Sequence, residues 1–275
     1  MGDTQPFRYD GKHVLVIGGA TGMGAAAARA VAALGAEVTV LDRAPVDYSV
    51  AKAIEVNLME RESIDAALDQ VAGPVHAVFA AAGIGGGDGT MRVNFISHRH
   101  LIEKLIEDGR LGAGSAICFI SSVAGLGWQN HLDRLVDFLA TTSYEDAEAW
   151  VQAHEKTDTY MFSKQAVNAY VARQAYPFAS KHIRINAICP GPTDTPLARA
   201  NGWGGFDQQY REATGTEQLQ PEQMANVMAF LNSDAAFGIS GESLLVDYGH
   251  VKASMGGSWA PGKPVIDFLM SETTI

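Results

Sequence analysis

The sequence predicts an α/β domain built on a doubly wound, parallel, seven-stranded sheet, and three observations carry that prediction. Short apolar runs alternate with longer segments of helical period; the runs are continuously apolar, as strands covered on both faces are; and a glycine-rich turn joins the first run to the first helical segment. The 275 residues are 47% hydrophobic, enough for one sizeable core. No Pro/Ser-rich linker, internal repeat or low-complexity stretch divides them, so a single domain over 1–275 is expected.

Taken in order, strands are expected at residues 13–17, 37–41, 53–56, 76–80, 115–120, 184–188 and 243–246, with helices at 24–34, 63–71, 94–107, 160–179 and 221–231. One segment breaks this rhythm. Within 127–155, Leu132, Leu135, Val136 and Leu139 follow the i, i+3, i+4, i+7 spacing of an apolar helix face. Ser143 followed by Asp146 resembles a capping box that opens a second short helix through Trp150 and Val151. An inserted helical hairpin ahead of helix 160–179 is the reading.

The formal charge of −11, with only 20 Lys plus Arg, argues against nucleic acid or anionic membrane as a partner, since both repel an acidic surface. The two cysteines, Cys118 and Cys189, each sit in an apolar run and read as reduced core thiols. His76, His98, His131 and His182 show no ligand spacing, so no metal is expected. Residues 1–12 lack the apolar core of a secretory signal, and no apolar stretch reaches the ~18 residues of a membrane span, so a cytoplasmic protein is expected.

The first strand runs straight into Gly18-Gly19-Ala20-Thr21-Gly22-Met23-Gly24 and an Ala-rich helix. Glycine permits a tight turn and a close backbone approach, while a helix N-terminus offers N–H groups to a pyrophosphate, as in a dinucleotide-binding Rossmann unit. The second strand ends in Asp42-Arg43, about 20 residues past the glycines. A carboxylate there accepts hydrogen bonds from both ribose hydroxyls and repels a 2′-phosphate, which favours NAD; Arg43 keeps NADP as the minority option.

Tyr160 and Lys164 are four residues apart, hence on one face of a helix. A cation near a phenol favours the phenolate, so such a tyrosine can give and take a proton. Ser122, in Ser121-Ser122-Val123-Ala124-Gly125, ends a strand at the carboxyl edge of the sheet, where open α/β sheets bind ligands, and its neutral hydroxyl can donate to a substrate oxygen. Asn94 adds an amide early in a helix.

Over roughly residues 11–249 these motifs, with Asn186-Ala187-Ile188-Cys189-Pro190-Gly191, resemble in order those of the short-chain dehydrogenase/reductase family. The resemblance implies an NAD-dependent oxidoreductase interconverting a secondary alcohol and a ketone. In it Tyr160 is the acid/base, Lys164 lowers the tyrosine's pKa and holds the nicotinamide ribose, Ser122 positions the reacting oxygen, and Asn94 helps hold a relay water. Cofactor contacts are implied for Gly18, Thr21, Gly22, Met23, Gly24, Asp42, Arg43, Asn57, Leu58, Ala81, Ala82, Gly83, Pro190, Gly191, Thr193 and Thr195. Ala80 and Ala81 stand where the family usually has asparagines, Asn57 where it has aspartate facing adenine, Ile17 for a threonine, and Asp247-Tyr248-Gly249 for Asp-Gly-Gly. The family also implies a homodimer or homotetramer.

The spacing from Ser122 to Tyr160 exceeds the family's usual interval, which makes 127–155 an insertion, and the arrangement is similar to that of bacterial 3α-hydroxysteroid dehydrogenase/carbonyl reductases. Such an insertion serves either the substrate site or the oligomer interface. A lid is expected over 196–220, where glycines allow movement and Trp203 and Phe206 supply apolar surface, with Leu126 and Trp128 as a further wall. An apolar cyclic substrate such as a hydroxysteroid follows. The extension 250–275 covers a neighbouring subunit or the chain's own pocket. Two alternatives stand beside the dehydrogenase: a non-catalytic dinucleotide sensor or scaffold, and an epimerase or dehydratase using the same cofactor.

Overall fold

The computed structural model describes residues 5–271. Its strands are β1 (His13–Ile17), β2 (Glu37–Asp42), β3 (Lys52–Glu55), β4 (Ala77–Ala80), β5 (Ala116–Ile120), β6 (Arg184–Pro190) and β7 (Ser243–Val246). They form one sheet in the order β3-β2-β1-β4-β5-β6-β7, every neighbouring pair parallel. The helices are α1 (Gly22–Ala33), α2 (Arg61–Leu68), α3 (Ser97–Glu107), α4 (Leu132–Leu139), α5 (Tyr144–Ala153), α6 (Tyr160–Ala179), α7 (Pro196–Ala200), α8 (Gln208–Thr214), α9 (Pro221–Asn232), α10 (His250–Met255) and α11 (Lys263–Leu269).

Alternation along each strand sends successive side chains to opposite faces, and helices cover both. Val14 and Val16 of β1 and Val38 and Val40 of β2 pack with Ala27 and Val31 of α1 and Met224 and Met228 of α9. Leu15 and Ile17 instead join Ile64 of α2, Leu101 and Leu105 of α3 and Val167 and Tyr170 of α6. Strand order reverses between β1 and β4, which opens a crevice at the carboxyl ends of the strands.

Most predicted elements lie within two residues of their expected ends, and α6 coincides with its prediction. The expected helix 94–107 differs in kind: a π-helical turn over Arg92–Ile96 precedes α3. Asp158, just ahead of α6, accepts the Gly89 and Met91 N–H groups at 2.8 and 2.7 Å and so ties the start of that segment to the start of α6.

The hairpin between β5 and α6 is present as α4 and α5, but its buried seam is not the expected one. Leu132 is 40% exposed, while Leu135 and Phe138 are fully buried. Phe138 meets Phe95, Trp150 and Phe162 at centroid distances of 5.5, 5.1 and 5.8 Å, and this aromatic contact sets the rotation of α4. Ser143 caps α5 through the Asp146 N–H at 3.0 Å, as expected, yet the Asp146 carboxylate accepts from Thr142 Oγ1 rather than closing the box. Among the described residues no helix is long and apolar enough to cross a membrane.

Candidate active site

The crevice holds a cavity of about 650 Å³ that every sequence-predicted cofactor residue lines, together with Ser122, Tyr160 and Lys164. Its floor is the glycine turn after β1. Gly18 has φ +85°, and a Cβ there would lie 2.4 Å from the Ala82 backbone, so only glycine lets the β1 and β4 turns meet. A Cβ on Gly24 would lie 2.0 Å from the Gly18 carbonyl oxygen. Thr21 caps α1 with its backbone extended but makes no side-chain capping bond, and the first turn carries no acidic residue. The helix therefore presents its N-terminal N–H groups to the cavity with no carboxylate competing for them.

At the end of β2 the Asp42 carboxylate accepts the Ala20 N–H at 2.8 Å and the Ala44 N–H at 2.9 Å, which fixes its direction at the cavity wall. Tyr48, which the sequence reading missed, donates to the Gly19 carbonyl at 2.5 Å under the Arg29 guanidinium, 4.3 Å from its ring centroid. Asn57 lines the cavity, but its amide is engaged in its own turn: it donates to Glu60 Oε1 and accepts the Met59 N–H.

Where the family's asparagines are replaced by alanine, a histidine supports the turn. His98 Nε2 lies 3.0 Å from the Ala82 carbonyl oxygen, so this nitrogen carries the proton and donates. The ring is buried, and burial pushes its pKa down to about 4, the bond to Ala82 opposing. Proximity in the fold, not spacing in the chain, gives His98 this place, which is why the sequence did not show it.

Tyr160 opens α6, where Thr159 caps the helix by accepting the Phe162 N–H at 3.2 Å. Burial pushes the Tyr160 phenol up to about 12, with a hydrogen bond to Ser122 pulling it back. One turn on, Lys164 is buried, and burial brings its ammonium down to about 8. Its Nζ donates to the Ile120 carbonyl at 2.8 Å and lies 5.4 Å from the centroid of the Tyr160 ring.

The rest of the Ser-Ser-Val-Ala-Gly segment docks this loop on α6. Ser121 donates to the Lys164 carbonyl at 3.1 Å and Asn168 donates to the Gly125 carbonyl at 3.0 Å. A Cβ on Gly125 would stand 2.8 Å from the Lys164 carbonyl oxygen, so the close approach requires glycine. Asn168 was missed by sequence reading, although it follows Lys164 by four residues and shares its helix face. Cys189 is buried beside it, 3.6 Å from Asn168 Oδ1, and burial raises its thiol to about 11.

Asn94 does not line the cavity. From beneath, its Oδ1 accepts the Ile84 N–H at 2.8 Å, and its Nδ2 donates to the Ile84 carbonyl at 3.0 Å and to Ser163 Oγ at 3.1 Å. The far wall is apolar: Trp203, Phe206, Leu197, Met161 and Leu269 reach the cavity. Leu126 and Trp128 do not, which corrects the wall expected of them; Trp128 packs on the main core and Leu126 on a small cluster with Val251 and Ile266. No residue of 127–155 lines the cavity.

Comparison with known proteins gives the same picture. Residues 12–132 match the family model for short chain dehydrogenases, and residues 137–250 a companion model described as enoyl-(acyl carrier protein) reductase. The chain is 26% identical to the coniferyl-alcohol dehydrogenase of a Pseudomonas species, over 86% of this chain and 96% of that protein. It is 27% identical to the 3-alpha-hydroxysteroid dehydrogenase/carbonyl reductase of Comamonas testosteroni, over 86% of this chain and 95% of that one. Among solved structures, the 3-alpha-hydroxysteroid dehydrogenase of Pseudomonas sp. B-0831, complexed with NADH, superposes with a TM-score of 0.73 at 26% identity, covering 90% of this chain and 100% of that one. With the sheet order, the glycine turn and family models matched in sequence along most of its length, the chain belongs to the short-chain dehydrogenase/reductase family of oxidoreductases acting on alcohols and ketones.

Proposed function

We propose that the protein is an NAD-dependent dehydrogenase that interconverts a secondary alcohol and a ketone on an apolar, ring-bearing substrate such as a hydroxysteroid. The observation that carries this reading is the convergence of Ser122, Tyr160 and Lys164 on one cavity whose other end is the glycine turn and Asp42. The cradle fits a dinucleotide: Gly18 and Gly24 leave no room for a Cβ, and the start of α1 has no acidic side chain to repel a pyrophosphate. Asp42 favours NAD, because its oriented carboxylate would repel a 2′-phosphate. Arg43, also on the wall, is the residue that favours NADP instead. Bound there, NAD supplies the acceptor, and NADH the donor, of a hydride.

Ser122 Oγ already accepts the Ala124 N–H at 3.1 Å, which orients the hydroxyl so that its own proton can go to the substrate oxygen. Tyr160 takes the proton from the alcohol as the carbonyl forms and returns it in the reverse direction. Lys164 would hold the nicotinamide ribose of a bound cofactor, and its ammonium, 5.4 Å from the centroid of the Tyr160 ring, places positive charge near the phenol. The side chain of Asn94 is engaged with Ile84 and Ser163 beneath the cavity, next to the turn that carries Gly83, where the family resemblance assigns it a part in holding a relay water.

Apolar walls and two relatives whose names carry a hydroxysteroid support the ring-bearing substrate. The family resemblance supports a homodimer or homotetramer, which sedimentation would measure. Acidic composition and two buried free thiols support a cytoplasmic site of action.

The test is NADH formation by the purified protein with NAD or NADP and a panel of hydroxysteroids and simpler cyclic alcohols, for the wild type and Tyr160→Phe. Turnover with NAD that falls at least ~100-fold in the variant, while NADH binding stays within about threefold, is the expected result. Near wild-type turnover in Tyr160→Phe would overturn the assignment.

A further inference from the structure

The far wall of the cavity ends on a residue no motif singles out. Leu269 closes α11 and is buried, yet it lines the cavity that holds Tyr160. It packs in a small apolar cluster with Val123, the residue after Ser122, and with Met161, the residue after Tyr160. Its neighbour Phe268 is 57% exposed, so burial of Leu269 is specific to the face of α11 turned toward the site.

The end of α11 is fastened by the first turn of the segment that follows Ser122. A helix leaves its last carbonyls without intrahelical donors, and here side chains from elsewhere supply them. Asn130 Nδ2 donates to the Met270 carbonyl at 2.5 Å and His131 Nε2 lies 3.1 Å from the Ser271 carbonyl oxygen, which it can reach only as a donor. Between them Gly127, at φ +74°, lies under the same turn: a Cβ there would stand 2.4 Å from the Leu269 carbonyl oxygen and 3.0 Å from Met270 Cα. A glycine, an amide and an imidazole within five residues thus hold one stretch of backbone, 269–271, against the mouth of the site.

We propose that Leu269 sets the size of ring system the pocket accepts, and that Gly127, Asn130 and His131 are positioning residues that hold it there. The proposal rests on the dehydrogenase reading for its substrate class. It gives the start of the hairpin a role in specificity although none of 127–155 touches the cavity. Leu269 acts as a stop: its isobutyl group, in one cluster with Val123 and Met161, fills space at the cavity wall that a longer ring system would enter.

The experiment loads the protein with NAD, which has no hydride to give a ketone, and measures, by calorimetry, the binding of one-, two- and four-ring cyclic ketones to the wild type, Leu269→Ala, Leu269→Trp and Asn130→Ala. Leu269→Ala is expected to shift preference toward the larger rings by about tenfold, the scale of a few methylenes in an apolar pocket. Leu269→Trp is expected to shift it oppositely by a similar factor. Asn130→Ala, outside the cavity, moves preference in the same direction as Leu269→Ala but by less. The affinity for NAD stays at the wild-type value in all three variants. A size preference within twofold of wild type in both Leu269 variants would overturn the proposal, as would failure of every ketone to bind the loaded wild type. Because binding is read without turnover, a protein that binds the series with the expected shifts but oxidises no corresponding alcohol would sink the dehydrogenase reading and leave Leu269 in place.

Discussion

The indole of Trp203 lies against the phenol ring of Tyr160, their centroids 4.7 Å apart and their planes inclined by 46°. The contact joins the segment after β6 to the first residue of α6 and helps keep water from the proposed acid/base. Burial is the main cause that raises Tyr160 to about 12. Oxidation needs the phenolate, so its rate rises with pH through the tyrosine's pKa in the loaded enzyme. Trp203→Ala relieves burial and is expected to move that rise to lower pH, while raising KM for apolar ring substrates about tenfold. A pH profile of kcat/KM for both proteins checks it.

Ser122→Ala should move the same limb the other way. The hydrogen bond from Ser122 is what lowers the Tyr160 pKa against burial, so its loss leaves the phenol harder to ionise. With substrate bound the same proton goes to the substrate oxygen, so a fall in kcat of about 100-fold or more is expected, while the rise in kcat/KM, which reports the enzyme before substrate binds, lies at higher pH than in the wild type. A limb displaced to lower pH would contradict the role given to Ser122.

Lys164 makes a pH-dependent contribution to stability whose sign follows from its burial. Burial brings its pKa from the ordinary lysine value of 10.5 to about 8 in the fold. Between those values the unfolded chain binds a proton that the folded chain does not, so stability rises with pH across that window and the cost is full below pH 8. Lys164→Met lacks this contribution. The difference in Tm, wild type minus variant, is therefore expected to grow in favour of the wild type from about pH 8 to about pH 10, measured by calorimetry without cofactor; a flat difference would show that burial does not lower the Lys164 pKa.

Asp42→Ala tests the cofactor reading. It removes a carboxylate held by the Ala20 and Ala44 N–H groups, so NAD affinity should fall about tenfold and the discrimination against NADP should shrink, with Arg43 left to meet the 2′-phosphate. Titration with both dinucleotides measures the ratio directly.

Phe138→Ala separates the hairpin's packing from the chemistry. The ring is fully buried among Phe95, Trp150 and Phe162, so truncation should cost about 3–5 kcal/mol, seen as a lower denaturation midpoint, with KM for the alcohol within about twofold of wild type.

The sheet, the glycine turn and the residues that line the crevice were legible in the amino-acid order, because these depend on local rules. Continuous apolar runs require burial on both faces, close backbone approaches at Gly18 and Gly24 admit only glycine, and Tyr160 and Lys164 share a face by helical period alone. Tertiary structure decided what depends on chain segments far apart. Asn57 spends its amide on its own turn, His98 supports the turn whose asparagines are alanines, and Asn94 props Ile84 from below the cavity. The substrate wall was the least legible part: near Ser122 in sequence, Trp128 packs on the main core and Leu126 lies off the cavity, while Leu269, 147 positions from Ser122, lines it and shares a small apolar cluster with Val123 and Met161. Periodicity tells which face of a helix is buried; only the folded chain decides which distant segment that face meets.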